Sequence, residues 1–228
     1  MAGEKTVIVG DSPIAEVAYE YLTYDSCYTV VAFTVDQEFI KRDHMFEVPI
    51  VPFEEVDSYY PPNTHKMFVA VGYPQMNRLR AKFFKRAKEK GYALISYISS
   101  KAFVWRNVKI GENCFIMENN VIQPFVRIGN NVTIWSGNHI GHHSVIGDNV
   151  FIASHAVISG FVEIGEYCFI GVNSTIANNI RVAKNSLLGA GSIILKDTEE
   201  GKIYGAKNTV PKQYDVFERF KIDTGEII

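Results

Sequence analysis

From Ile98 to Ile194 every sixth residue is aliphatic without a skip, running Ile98, Val104, Ile110, Ile116 and onward to Ile176, Val182, Leu188 and Ile194. Many of these residues are followed by glycine, at Gly111, Gly129, Gly141, Gly147, Gly165, Gly171 and Gly189. The position four after the aliphatic is small or β-branched, as at Cys114, Val126, Ser144, Ala156, Cys168 and Ser186. A period of six fits neither a helix at 3.6 residues per turn nor an alternating strand at 2. It predicts a solenoid whose short strands turn a corner every six residues, three hexads closing one triangular coil. The aliphatic side chain then points into the prism and stacks on its equivalents one coil away. The glycine beside it is expected to let the backbone bend where a Cβ would cost energy. The pattern predicts a parallel β-helix over 98–198.

The first 97 residues follow another rhythm. The apolar run Thr6 to Val9 ends in Gly10, and Ser12-Pro13 reads as an N-cap and first-turn proline opening a helix from Ile14 to Leu22. A second strand, Thr29 to Val35, ends at Asp36. After a proline-rich connection through Pro61-Pro62, a third strand from Met67 to Val71 ends at Gly72, followed by a helix from Gln75 to Lys90. Alternating strands and helices predict a small parallel sheet of Rossmann type, an α/β domain over 1–97. Beyond the repeat, 199–228 reads as an irregular cap, with a short helix expected around Tyr214 to Lys221.

Charge is nearly balanced, 23 basic against 25 acidic residues, with no Lys/Arg cluster, which argues against nucleic acid or an anionic membrane as partner. No apolar run reaches the ~18 residues of a membrane span. The N-terminus shows no signal-peptide pattern, and cytoplasmic localisation is expected. The three cysteines, Cys27, Cys114 and Cys168, have no metal-binding spacing. Cys114 and Cys168 both occupy the small slot of a hexad and read as packing residues.

The unbroken [Ile/Val/Leu]-Gly-x-x-[small]-x series resembles the left-handed β-helix acyltransferases. A Rossmann-like domain ahead of such a helix resembles the sialic-acid O-acetyltransferase-like family, which includes N-acetyltransferases of nucleotide-linked 4-amino sugars. Gly10 and Ala15 match that family's Gly-x-Gly-Gly-x-Ala turn, and Asp36 matches the acidic residue after its second strand. Gly72, Asn77 and Arg78 loosely resemble its Gly-Asp-Asn-x-x-Arg segment. The resemblance implies that the N-terminal domain holds the nucleotide of the sugar substrate. Gly10, Asp11 and Ser12 at a helix N-terminus suit a phosphate, and Asp36 a ribose or base.

Four of the six histidines, His139, His142, His143 and His155, fall within the central coils. Acetyl transfer from a thioester needs an acceptor with a free lone pair, and a base near pKa 6.5 suits that task. In the family the catalytic histidine lies five residues before the Gly of an Ile-Gly corner, which from Ile146-Gly147 gives His142. Its neighbour one coil on is Gly160, matching the family glycine whose N–H contacts the thioester carbonyl. The family's Glu after the base is replaced by His143, and a further family His by Phe151. His139, His143 and His155 stay open as alternatives for the base, and His155 also as a substrate contact. Zinc held by three histidines finds no matching spacing, and a Ser or Cys nucleophile no elbow. The resemblance implies acetyl-CoA as acyl donor and no metal. Asn173, Gly189 and Ala190 in the small-residue later coils are candidates for lying along its pantetheine arm. Lys207, in a tail that partly resembles the family's Gly-x-Pro-Ala-Lys, is a candidate for its phosphates.

The reading is an acetyl-CoA-dependent N-acetyltransferase of a UDP- or dTDP-linked 4-amino-4,6-dideoxyhexose for surface glycan (lipopolysaccharide) synthesis, working as a homotrimer. The rivals are O-acetylation of a sugar or sialic acid, and a non-catalytic trimeric β-helix module.

Overall fold

In the computed structural model, 3–221 are described except 208 and 214. Asn208, Tyr214 and 222–228 of the expected cap lie outside the described residues. The N-terminal region folds as β1 (Glu4–Val9), α1 (Pro13–Tyr24), β2 (Tyr28–Val35), β3 (His44–Met45), β4 (Val48–Pro52), α2 (Val56–Tyr59), β5 (Lys66–Val69) and α3 (Arg78–Glu89). Its sheet has the order β3-β4-β2-β1-β5. Four strands are parallel, but β3 pairs antiparallel with β4, so the sheet is mixed rather than wholly parallel as expected. The edge pair went unforeseen because β4 contains Pro49 and Pro52, and proline inside a run argues against a strand. Helix α3 starts at Arg78 instead of Gln75, since Gln75, Met76 and Asn77 all take positive φ (53, 52 and 65°).

From Tyr97 onward the chain forms two-residue parallel strands stacked in three sheets of six, five and seven strands. We name them the His139 face, the Val145 face and the Phe151 face. Within the repeat each strand pairs with the one three hexads on, Val121 with His139 and His139 with Val157. The arrangement is consistent with a left-handed β-helix. The hexad aliphatics from Ile116 to Leu188 are nearly all fully buried in one core that also contains Cys114 and Cys168. Ile98 departs from that expectation. It is 40% exposed, because it begins the solenoid and no coil lies beyond it. After the repeat lapses, Ile203–Tyr204 adds a last strand to the Phe151 face by pairing with Leu187–Leu188, and a short helix spans Val216–Phe220.

The corner glycines act through space rather than through bending. Gly111, Gly129, Gly141, Gly147, Gly165, Gly171 and Gly189 all lack the positive φ that would require glycine. For all but Gly189, an added Cβ would press on the backbone or side chains of the next coil; at Gly147 it would lie 2.9 Å from Glu166 N. The left-handed residue instead comes three positions after the aliphatic, and is asparagine at Asn113, Asn119, Asn131, Asn149, Asn173, Asn179 and Asn185. Asparagine tolerates that conformation better than most residues.

The sheet and the prism share buried surface. Ile8, Phe33 and Phe68 pack with Phe115, Met117 and Trp135 of the Phe151 face. Beside this contact the corner asparagines form a ladder: Asn113 Nδ2 donates to Asn131 Oδ1 (2.7 Å) and Asn131 Nδ2 to Asn149 Oδ1 (2.8 Å). Arg80 enters this ladder wholly buried, donating from Nε to Asn131 Oδ1 (2.8 Å) and from Nη2 to the Asn113 carbonyl (2.8 Å). Burial lowers its guanidinium to about 10, which leaves it charged at neutral pH. Asn77 Nδ2 donates to the Asn149 carbonyl at 2.7 Å, so the segment from β5 to α3 is fastened directly to the prism.

Gly147→Ala is expected to destabilise the protein by about 1–3 kcal/mol, the usual cost of overpacking, while Gly205→Ala, where a Cβ meets nothing within 4 Å, stays close to wild type. Urea unfolding followed by circular dichroism checks the contrast; equal midpoints for the two variants contradict the close-approach account.

Candidate functional site

The corner between the His139 and Val145 faces carries the paired imidazoles. Its left-handed position is occupied in successive coils by Phe125, His143 and Phe161, with φ of 67, 61 and 56°. Because equivalent residues lie over one another, the His143 ring is stacked between both phenyl rings, with centroids 4.6 Å from Phe125 and 4.8 Å from Phe161. His142 stands edge-on to Phe161, its backbone N–H donating to Gln123 Oε1 at 2.9 Å. The Nδ1 atoms of His142 and His143 are 3.1 Å apart, within hydrogen-bond reach. Both side chains are exposed.

Gly160 does sit beside His142, but its observed work differs from the expectation. Its N–H donates to Asn178 Oδ1 at 2.9 Å and is not a free donor for a thioester carbonyl. The His142 ring lies against its Cα, so that an added Cβ would be 2.9 Å from Cε1 and 3.0 Å from Nε2. There is no slot between the two residues; glycine is needed there to seat the imidazole.

The four-histidine group separates. His139 is half-buried on its strand, between Val121 and Val157. His155 is exposed on the corner between the Phe151 and His139 faces, its ring over Gly137, so it does not join His142. Among the described residues no group of three or more His, Cys, Asp or Glu is placed to hold a metal ion.

A cavity of about 520 Å³ opens at the C-terminal ends of the N-terminal strands, lined by Gly10, Asp11, Ser12, Asp36, Gly72 and Lys82 among others. The five candidate residues of that region therefore meet in one place. Two need a different account from the one expected. Gly10 has φ +120° and a Cβ there would lie 2.7 Å from the Ala70 carbonyl oxygen, so the fold itself demands glycine. Asp36 is held by Arg86, whose Nη1 is 2.6 Å from Oδ1. Ser12 is at the N-cap of α1 but its hydroxyl makes no capping bond.

A second hollow of about 360 Å³ lies on the Phe151 face, lined by Tyr73, Trp135, Phe151, Phe169, Ser154 and Ala190, among others. Phe151 and Phe169 stack at 5.2 Å and Tyr73 packs on both. Trp135 Nε1 is buried without a hydrogen-bond partner. Tyr73 belongs to the same short segment as Gly72 and Pro74 of the first cavity, so the two hollows adjoin. Ala190 lines the second, and Asn173 and Gly189 are on or next to its corner, while Lys207 is exposed beyond the last strand. Asn173, Gly189 and Ala190 stand on a different corner of the prism from Gly160.

Reading along the chain missed Arg80, Phe125, Phe161 and the aromatic hollow. The signal for the two phenylalanines was available: both lie three hexads from His143.

Residues 107–142 and 127–160 match the bacterial transferase hexapeptide family, and 161–196 match the hexapeptide repeat of succinyl-transferase. A comparison with curated proteins gives no match. Among solved structures, PerB from Caulobacter crescentus in complex with CoA and GDP-perosamine is similar at 26% identity and TM-score 0.79, covering 89% of this chain and 94% of that one. The acetyltransferase domain of PglB from Neisseria gonorrhoeae, in complex with acetyl coenzyme A, is similar at 23% identity and TM-score 0.80, covering 90% and 97%. The chain thus carries a hexapeptide-repeat transferase β-helix and is an acyltransferase. Its structural neighbours include a perosamine N-acetyltransferase.

Cys114 and Cys168 are buried, and burial pushes each thiol up to about 11, which makes both poor nucleophiles at neutral pH. Of the three cysteines only exposed Cys27 is expected to react with Ellman's reagent in the native protein. The count is read from absorbance before and after denaturation, and rapid modification of two or more native thiols contradicts the burial.

Proposed function

We propose that the protein transfers the acetyl group of acetyl-CoA to the amine of a nucleotide-linked amino sugar, with His142 as general base. The observation that carries the reading is an exposed imidazole seated on Gly160 whose Nδ1 already has a partner. A ring held in that way leaves Nε2 for the acceptor. A neutral amine becomes cationic as it bonds to the acetyl carbon and must shed one proton, so a nearby base is what the reaction requires. As the amine nitrogen bonds to the acetyl carbon, its proton passes to His142 Nε2; the carbon–sulfur bond breaks and CoA leaves as the thiolate.

The cavity at Gly10, Ser12 and Gly72 serves as a Rossmann-like nucleotide site, at the strand ends and the N-terminus of α1 where such sheets bind ligands. The adjoining aromatic hollow, with its small residues Ala153, Gly171 and Ala190, is the natural continuation for donor and sugar. It does not share a corner with His142. A neighbouring copy in a homotrimer supplies the missing half, and the His139 face, with exposed Phe103, Val121, Val157 and Ile193, is the surface such an assembly covers.

His142→Ala is expected to lower kcat by roughly 10²- to 10⁴-fold, with CoA and nucleotide affinity kept. Ser12→Trp is expected to fill the nucleotide cavity and also inactivate. If each site joins two subunits, mixing the two inactive variants during refolding restores part of the activity. Retention of most turnover by His142→Ala contradicts the base assignment. Failure to complement in mixed trimers contradicts the shared site.

A further inference from the structure

The base reading leaves one question of chemistry. An imidazole acts as base only through the nitrogen that bears no proton, so something has to select the tautomer. His143 is within reach of His142 and is itself an imidazole, not a carboxylate. We propose that His143 is a positioning residue: as the neutral Nε2–H tautomer it accepts the Nδ1–H of His142 and keeps the Nε2 lone pair of His142 available. This rests on His142 being the base.

Three observations carry it. The Nδ1–Nδ1 distance of 3.1 Å is a hydrogen bond only if one nitrogen donates and the other accepts. Two nitrogens that both bear hydrogen do not bond at that separation. The direction follows from the reaction. Once His142 has taken the acceptor's proton at Nε2 it carries hydrogen on both nitrogens, and its Nδ1 must donate. Only an accepting His143 keeps the contact before and after the transfer, and no proton moves between the rings. The opposite direction places hydrogen on His142 Nε2 at the outset and abolishes the base.

His143 is also unusually well placed to hold one orientation. Its ring is parallel to Phe125 within 26° and to Phe161 within 16°, clamped on both sides by the coils before and after. Its backbone N–H donates to the Pro124 carbonyl at 3.1 Å. Gln123, Phe125, Gly160 and Phe161, which contact the pair, carry no titratable group. A side chain fixed by stacking substitutes here for one fixed by ion pairing.

The informative variant is His143→Phe. Phenylalanine already occupies the same left-handed corner position one coil before and one coil after, so the stack is retained while the Nδ1 acceptor is lost. The expected result is a fall in kcat of roughly 10- to 100-fold, the usual scale for losing an orienting partner, with KM for both substrates and the melting temperature near wild type. The second readout is ¹⁵N NMR of the imidazoles at a pH where both are neutral. In wild type, His142 is expected as the Nδ1–H tautomer and His143 as Nε2–H; in His143→Phe, His142 reverts to the mixture seen for a free imidazole. A wild-type His142 protonated at Nε2, or an undiminished kcat in His143→Phe, overturns the proposal. If His142→Ala is itself fully active, the base reading fails instead, and the two failures are distinguishable.

Discussion

Coil stacking in strict register is the constraint on which the rest of this structure depends. Within the repeat each strand pairs with the strand 18 residues on, as Thr133 does with Phe151 and Phe151 with Phe169. A side chain at any corner therefore has its neighbours set by covalent spacing. The same constraint makes the coils approach so closely that most corner glycines cannot take a Cβ without displacing the next coil. A one-residue slip in the pairing of a strand would turn its inward side chain away from the core. Uninterrupted repetition keeps the pairing in step, and it also lets a single substitution place a functional group reproducibly.

That regularity produces the site. Phe125, His143 and Phe161 share a corner position, and the outcome is an imidazole pinned between two aromatic faces beside a second imidazole. Such aromatic pairs are worth about 0.5–1.5 kcal/mol each, enough to restrict a ring that would otherwise rotate in solvent. At another corner the repeat supplies a ladder of asparagines, into which Arg80 inserts as a buried cation with polar partners but no carboxylate among its hydrogen bonds. The Arg80 Nη1 contact to the Val71 carbonyl ties this ladder to the segment lining both hollows. The N-terminal sheet is accordingly positioned by the prism it accompanies.

The solenoid was legible because its signal is one-dimensional: period, aliphatic slot and small slot can be read along the chain. The strands β1, β2 and β5 and helix α1 were legible for similar reasons, from apolar runs that end in Gly10, Asp36 and Gly72. What escaped reading depends on three-dimensional proximity. Asp36 is engaged by Arg86, fifty positions away, and Asn178 takes the Gly160 N–H that the repeat alone left unassigned. The histidines that look clustered in sequence divide between two corners and a strand, because three hexads carry the chain once around the prism. His142 and His143 remain together since they are adjacent. The purpose of the corner glycines was also misjudged, as crowding between coils is invisible in a single hexad.

The account stands or falls on the class of acceptor. The direct measurement is CoA thiol release from acetyl-CoA by the wild-type protein with a matched panel: UDP-, dTDP- and GDP-linked 4-amino-dideoxyhexoses, their 4-hydroxy counterparts, and the free amino sugar. The account predicts release, with one acetyl group gained on nitrogen by mass spectrometry, only where an amine and a linked nucleotide occur together. Equal rates with the free amino sugar, or with the 4-hydroxy compounds, would contradict it.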